Sequence, residues 1–69
     1  MGKYTVEQAR KLANISIRDM AKEMGVSTNT YFNKEKGLSR FYYDEAARFS
    51  SIVGIPMDNI FFASHVTQK

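Results

Sequence analysis

Two short amphipathic stretches meet across a three-residue gap, and that gap limits the folds open to the chain. Ile17, Met20, Ala21 and Met24 lie on one helical stripe. Gly25 follows where a helix should end, because glycine enters the left-handed conformation without a side-chain penalty. Ser27 then stands where a hydroxyl caps a new helix that begins at Thr28. A linker of about three residues is too short for an antiparallel pair to fold flat, so the two helices are expected to meet at a sharp angle. The first helix needs a small residue where the second crosses it, and Ala21 supplies one. Met20, Met24, Val26 and Tyr31 fall at intervals that anchor one helix on the other. An ordinary helical bundle shares the apolar periodicity. It does not share the Ala-x-x-x-Gly-x-Ser spacing with an immediate helical restart.

The rest of the chain reads as further short helices. Thr5-Val6-Glu7-Gln8 has capping-box spacing, and Val6, Ala9, Leu12 and Ala13 share a stripe, which predicts a helix over residues 6–13. Asn14-Ile15 is a break, and Ser16 caps the next helix with Asp19 three residues on. Gly37 is expected to end the third helix. A fourth, over residues 42–53, turns Tyr43, Ala46, Phe49, Ser50 and Val53 to the core and stops at Gly54. Pro56 opens a fifth through residue 62, with Met57, Ile60 and Phe61 packing back. The expectation is an all-α, five-helix domain without strands. It is a single domain over residues 1–69, folded over about 5–62, with 63–69 as a flexible tail.

Composition removes several function classes. The chain has no cysteine, which excludes a disulfide framework, a thiolate zinc site and a cysteine nucleophile together. No apolar run approaches the roughly 18 residues of a membrane span, and no charged-then-apolar leader opens the sequence, so a soluble, cytosolic-type domain is expected. His65 is the sole histidine, and Asp44-Glu45 diverge as neighbours on a helix, so neither a metal site nor paired catalytic carboxylates are expected. No glycine loop suits a phosphate cradle. No enzymatic activity and no cofactor are expected. Net charge is +3, unevenly spread. Eight bases and four acids lie in residues 1–40, against two bases and three acids in residues 41–69. A basic front suits an anionic partner.

Helix, tight turn and helix make the helix-turn-helix shape, and here the sequence resembles the phage Cro/repressor-type (Xre-like) family. The resemblance covers residues 5–62. It is carried by Ile15-Ser16, Met20-Ala21, Met24-Gly25-Val26-Ser27, Glu35-Lys36-Gly37, Val53-Gly54-Ile55, Asp58 and Ile60. It implies a repressor-type DNA-binding domain with the helix-turn-helix at helices 2 and 3, working as a dimer on a palindromic operator. It also implies an ion pair between Arg10 and Glu35. Three positions depart from the family pattern. Lys34 stands where an apolar residue is usual, Ile17 where a polar one often touches phosphate, and Phe41 in place of a frequent proline. Lys34 is expected to snorkel, with its stem packed and its ammonium in water.

In that geometry the start of the second motif helix enters the major groove. Thr28, Asn29, Phe32 and Asn33 are then the candidate base contacts, with Asn suited to adenine and Thr or Phe to the thymine methyl. Asn29 and Thr30 have the competing role of stabilising the helix start. Phosphate contacts are assigned to Arg18, Ser27, Lys36 and Arg40. Lys3 and Lys11 read equally well as solvated charges.

A domain this small buries only about 600–1,000 Å² on DNA, which favours a homodimer. Phe61, Phe62 and Val66 form the candidate dimer or partner surface, Phe62 being the first expected to be exposed. The competing role for these aromatics is the core of the monomer. The leading expectation is therefore a phage or prophage repressor in the cytoplasm of a bacterial host, occupying double-stranded operator DNA. An alternative is an antirepressor or modulator that binds another regulator through the exposed third helix. A third is a domain cut from a longer repressor.

Overall fold

The computed structural model describes residues 2–62. Helix α1 (Val6–Leu12) is closed at its start by reciprocal bonds, the Thr5 N–H donating to Gln8 Oε1 at 2.9 Å and the Gln8 N–H to Thr5 Oγ1 at 3.1 Å. It ends at Ala13, and Asn14 turns the chain at φ 59°. Helix α2 (Ile17–Met24) is capped by Ser16, whose hydroxyl accepts the Asp19 N–H at 3.0 Å. Gly25 closes it at φ 73°, and the Val26 N–H folds back to the Ala21 carbonyl at 3.0 Å. Helix α3 (Thr28–Glu35) restarts at once on a Ser27 cap, with the Thr30 N–H donating to Ser27 Oγ at 3.1 Å. Helix α4 (Tyr43–Val53) runs to Gly54, also left-handed.

Past Pro56 the structure departs from the fifth helix expected there. Met57–Asn59 make one 3₁₀ turn, and Ile60–Phe61 form strand β2. This strand pairs in parallel with β1 (Tyr4–Thr5), Tyr4 opposite Ile60 and Thr5 opposite Phe61. The expectation of no strands fails with it. The backbone of Ile60 and Phe61 finds its partners in the opening segment of the chain, and the Lys3 N–H donates to the Asn59 carbonyl at 2.8 Å. Gly2 lies against the same strand, so close that a Cβ there would overlap the Phe61 backbone nitrogen.

Strand parity also sets the aromatic side chains. Ile60 is buried, Phe61 points out at 55% exposure, and Phe62 turns inward, half-buried. Phe62 packs edge-on against Phe41 (centroids 5.0 Å) and against Phe49 (6.4 Å). Of the two, Phe61 is thus the exposed one, the reverse of the sequence expectation. Helix α4 commits Ala46 and Phe49 fully to the core, while Ser50 and Val53 are half-buried and Tyr43 is exposed. Tyr43 shares their stripe but opens the helix, and Phe41, just before it, takes the buried place. Val6, Ala9, Met20, Ala21, Met24 and Tyr31 complete the core beneath α2 and α3. Val66, His65 and the proposed tail lie outside the described residues.

Candidate nucleic-acid interface

The seat of α3 is polar as well as apolar. Arg10 Nε donates to Glu35 Oε2 at 2.7 Å and its NH2 group to Oε1 at 3.3 Å, a two-pronged pair across 25 residues of sequence. The remaining arm of Arg10 donates to the Ile15 carbonyl at 2.8 Å, and the Tyr31 hydroxyl donates to Glu35 Oε2 at 2.7 Å. The Glu35 side chain is completely covered, so the last turn of α3 is bolted to α1 and to the turn before α2. Burial first, and then the Glu35 carboxylate, hold the Tyr31 phenol far above its ordinary range, which keeps it a donor. The hydrogen bond to Glu35 likewise raises Arg10.

With Tyr31, Lys34 and Glu35 turned inward, the outer face of α3 is left to Thr28, Asn29, Thr30, Phe32 and Lys36, all exposed. Asn33 is half-buried on the flank of that face. Its carbonyl accepts the N–H groups of Leu38 (2.9 Å) and Ser39 (3.2 Å). Thr30 is drawn into the cap, because the Ser27 hydroxyl donates to Thr30 Oγ1 at 2.8 Å. Phosphate at this end would meet the backbone N–H groups of the helix start as well as this pair of hydroxyls.

Among the cations, Arg18 and Arg40 are exposed. Arg18 shares a shallow groove with Asp19, Lys22, Ser27 and Thr28 at the junction of α2 and α3. Lys22 escaped the sequence reading, although its i+4 spacing from Arg18 places both on one side of α2. Lys36 is exposed but engaged. Its ammonium lies 3.2 Å from Glu7 Oε1 and 5.5 Å from the centre of the Phe32 ring. Glu7 also holds Lys11 at 3.1 Å, and the hydrogen bonds from Lys11 and then Lys36 keep its carboxyl below the usual range.

Lys34 corrects the sequence expectation. Its ammonium is not in water: the residue is 8% exposed, and Nζ donates to the Arg40 carbonyl at 2.9 Å and to Glu45 Oε1 at 3.0 Å. It also lies 5.2 Å from the centre of the Tyr42 ring. These acceptors belong to the loop and helix that follow α3, which is why the position tolerates a charge.

Among the described residues no cluster of His, Cys, Asp or Glu is arranged to hold a metal ion, and no helix is long and apolar enough to cross a membrane. A family model described as helix-turn-helix matches residues 6–59, most of the chain and the whole of α1 to α4. No curated protein and no solved structure gives a significant match.

Proposed function

The chain belongs to the Cro/Xre-type helix-turn-helix family of DNA-binding transcription regulators, and from that premise we propose that it is a phage-type repressor which blocks transcription by occupying its operator. The observation that carries this reading is the outer face of α3: short polar side chains presented to solvent on a helix whose inner side is fixed by the buried Arg10–Glu35–Tyr31 network. Thr28, Asn29, Phe32 and Asn33 meet base edges in the major groove. Arg18, Lys36 and Arg40 contact phosphates, Lys22 joins them beside Arg18, and the backbone at the Ser27 cap contributes N–H groups. The Asn and Thr content of the face gives an A/T-leaning half-site.

Two copies bind a palindrome, their recognition helices about 34 Å apart. Phe61, exposed on the outer side of β2, is the described part of the dimer surface. Phe62 contributes less, because its ring is committed to Phe41 and Phe49, and Val66 lies outside the described residues. The protein acts in the cytoplasm of a bacterial host.

The test is selection from a randomised duplex pool at two salt concentrations, with the solution mass measured alongside. Enrichment of a palindrome by a two-fold species, weakening steeply with salt, supports the repressor. A second reading, in which α3 docks on another regulator as an antirepressor, draws on Phe32. It is 39% exposed in the middle of the face, while Lys34 is turned inward and Lys36 is countered by Glu7. A monomer that enriches no sequence, and whose association with a regulator is insensitive to salt, favours that reading.

A further inference from the structure

The Lys34 ammonium is a buried charge with a specific set of acceptors, and DNA contact as proposed above does not use it. An apolar side chain of similar length would fill the same space, and replacing such a pair whole, Lys34 together with Glu45, by apolar residues is the kind of change that is often neutral or stabilising. The charge must therefore be judged by the geometry it imposes. Glu45 Oε1 accepts both Lys34 Nζ at 3.0 Å and the Tyr42 N–H at 2.9 Å, so one carboxylate oxygen joins the end of α3 to the start of α4. The second Lys34 bond goes to the carbonyl of Arg40.

The segment between these helices is held from both ends. Gly37 reverses the chain at φ 82°, and the N–H groups of Leu38 and Ser39 return to the Asn33 carbonyl. Lys34 then fixes the 40–41 peptide through the Arg40 carbonyl. Asn33 and Lys34, adjacent on α3, thus hold parts of one short loop, and the cationic side chain that this loop exposes is Arg40.

We infer that Lys34 is a positioning residue for DNA binding: its bonds to Glu45 and to the Arg40 carbonyl latch the 37–41 loop to α3 and present the Arg40 guanidinium to a backbone phosphate next to the groove that α3 reads. This rests on the DNA-binding reading and adds to it a loop set in advance of contact. Lys34 itself touches no DNA.

The latch is tested by a double-mutant cycle on the full chain, with a selected duplex as probe and affinity measured across a salt series. Lys34→Met lowers affinity about tenfold, the worth of one charge-assisted contact, and lessens the steepness of the salt dependence by about 0.9, one phosphate. Arg40→Ala alone produces the same two changes. Arg40→Ala in the Lys34→Met background adds less than twofold, since the guanidinium is already misplaced. Thermal unfolding of Lys34→Met comes at a lower temperature than the parent's, since Glu45 and the Arg40 carbonyl lose their partner, and affinity is measured well below that midpoint. Should that variant fail to fold, Lys34→Met combined with Glu45→Gln serves in its place, because the amide keeps an acceptor for the Tyr42 N–H and leaves no unpaired carboxylate where the ammonium was. A full tenfold loss for Arg40→Ala in both backgrounds overturns the latch and leaves the DNA-binding reading standing. A parent chain that binds no duplex at either extreme of salt overturns that reading, and the latch with it.

Discussion

At the scale of single residues, the charges divide into those spent inside the molecule and those left for a partner. Arg10, Glu35 and Tyr31 are spent. Glu35→Ala leaves Arg10 buried without its counter-charge and the Tyr31 hydroxyl without its acceptor, so unfolding in denaturant should show a loss of about 3–5 kcal/mol. Tyr31 also sets an alkaline limit. The unfolded phenol ionises near its ordinary value of 10.0, while the folded one is held well above it. Stability from this group is therefore complete below pH 10 and is lost as pH rises beyond it. A stability–pH series should show that decline, and Tyr31→Phe should flatten it. Glu7 is the opposite case, an exposed carboxylate shared by Lys11 and Lys36. It occupies the place a phosphate would take on Lys36. Glu7→Gln should tighten binding to all duplexes by a factor of about three and steepen the salt dependence by up to about 0.9. Unchanged affinity would mean that Lys36 does not reach DNA. Of these roles, the Arg10–Glu35 pair was readable only through a family resemblance. The inward turn of Lys34 was not readable, because its acceptors, the Arg40 carbonyl and Glu45, reach it only once α4 has packed.

At the scale of elements, local punctuation carried most of the message. Thr5, Ser16 and Ser27 stand at helix starts, and Gly25 and Gly54 at helix ends, so α1 to α4 fall within a residue or two of where capping logic sets them. The far end of the chain was opaque for a physical reason. Two-residue strands have no periodicity of their own, and β2 exists only because Tyr4–Thr5 arrives beside Ile60–Phe61 from the other end of the sequence. Reading that segment as a helix then assigned its aromatics by a 3.6-residue period, where alternation decides which ring is buried. Two glycines separate backbone effects from packing effects. Gly25→Ala forces a left-handed residue to carry a side chain in open space and should cost about 1–2 kcal/mol. Gly2→Ala meets the Ile60–Phe61 backbone and should cost a similar 1–3 kcal/mol through displacement of β1 from β2. Amide exchange distinguishes them: the second substitution deprotects the paired strand amides, and the first does not.

At the scale of the whole molecule, the inner face of α3 is bolted down by buried charge and its outer face carries side chains with unspent hydrogen-bonding capacity. A rigid rod with a polar outer face is suited to reading base edges, and the cations at its flanks to gripping phosphates. Asn33 sits where these roles separate. It is half-buried at the edge of the reading face, and it carries an amide able to pair with adenine. The decisive measurement is the affinity of Asn33→Ala for the selected duplex and for a scrambled one at the same salt concentration. A loss of about 1–3 kcal/mol on the selected duplex, with none on the scrambled one, is the predicted result. An equal loss on both, or no change on either, would contradict the assignment of α3 as the helix that reads DNA.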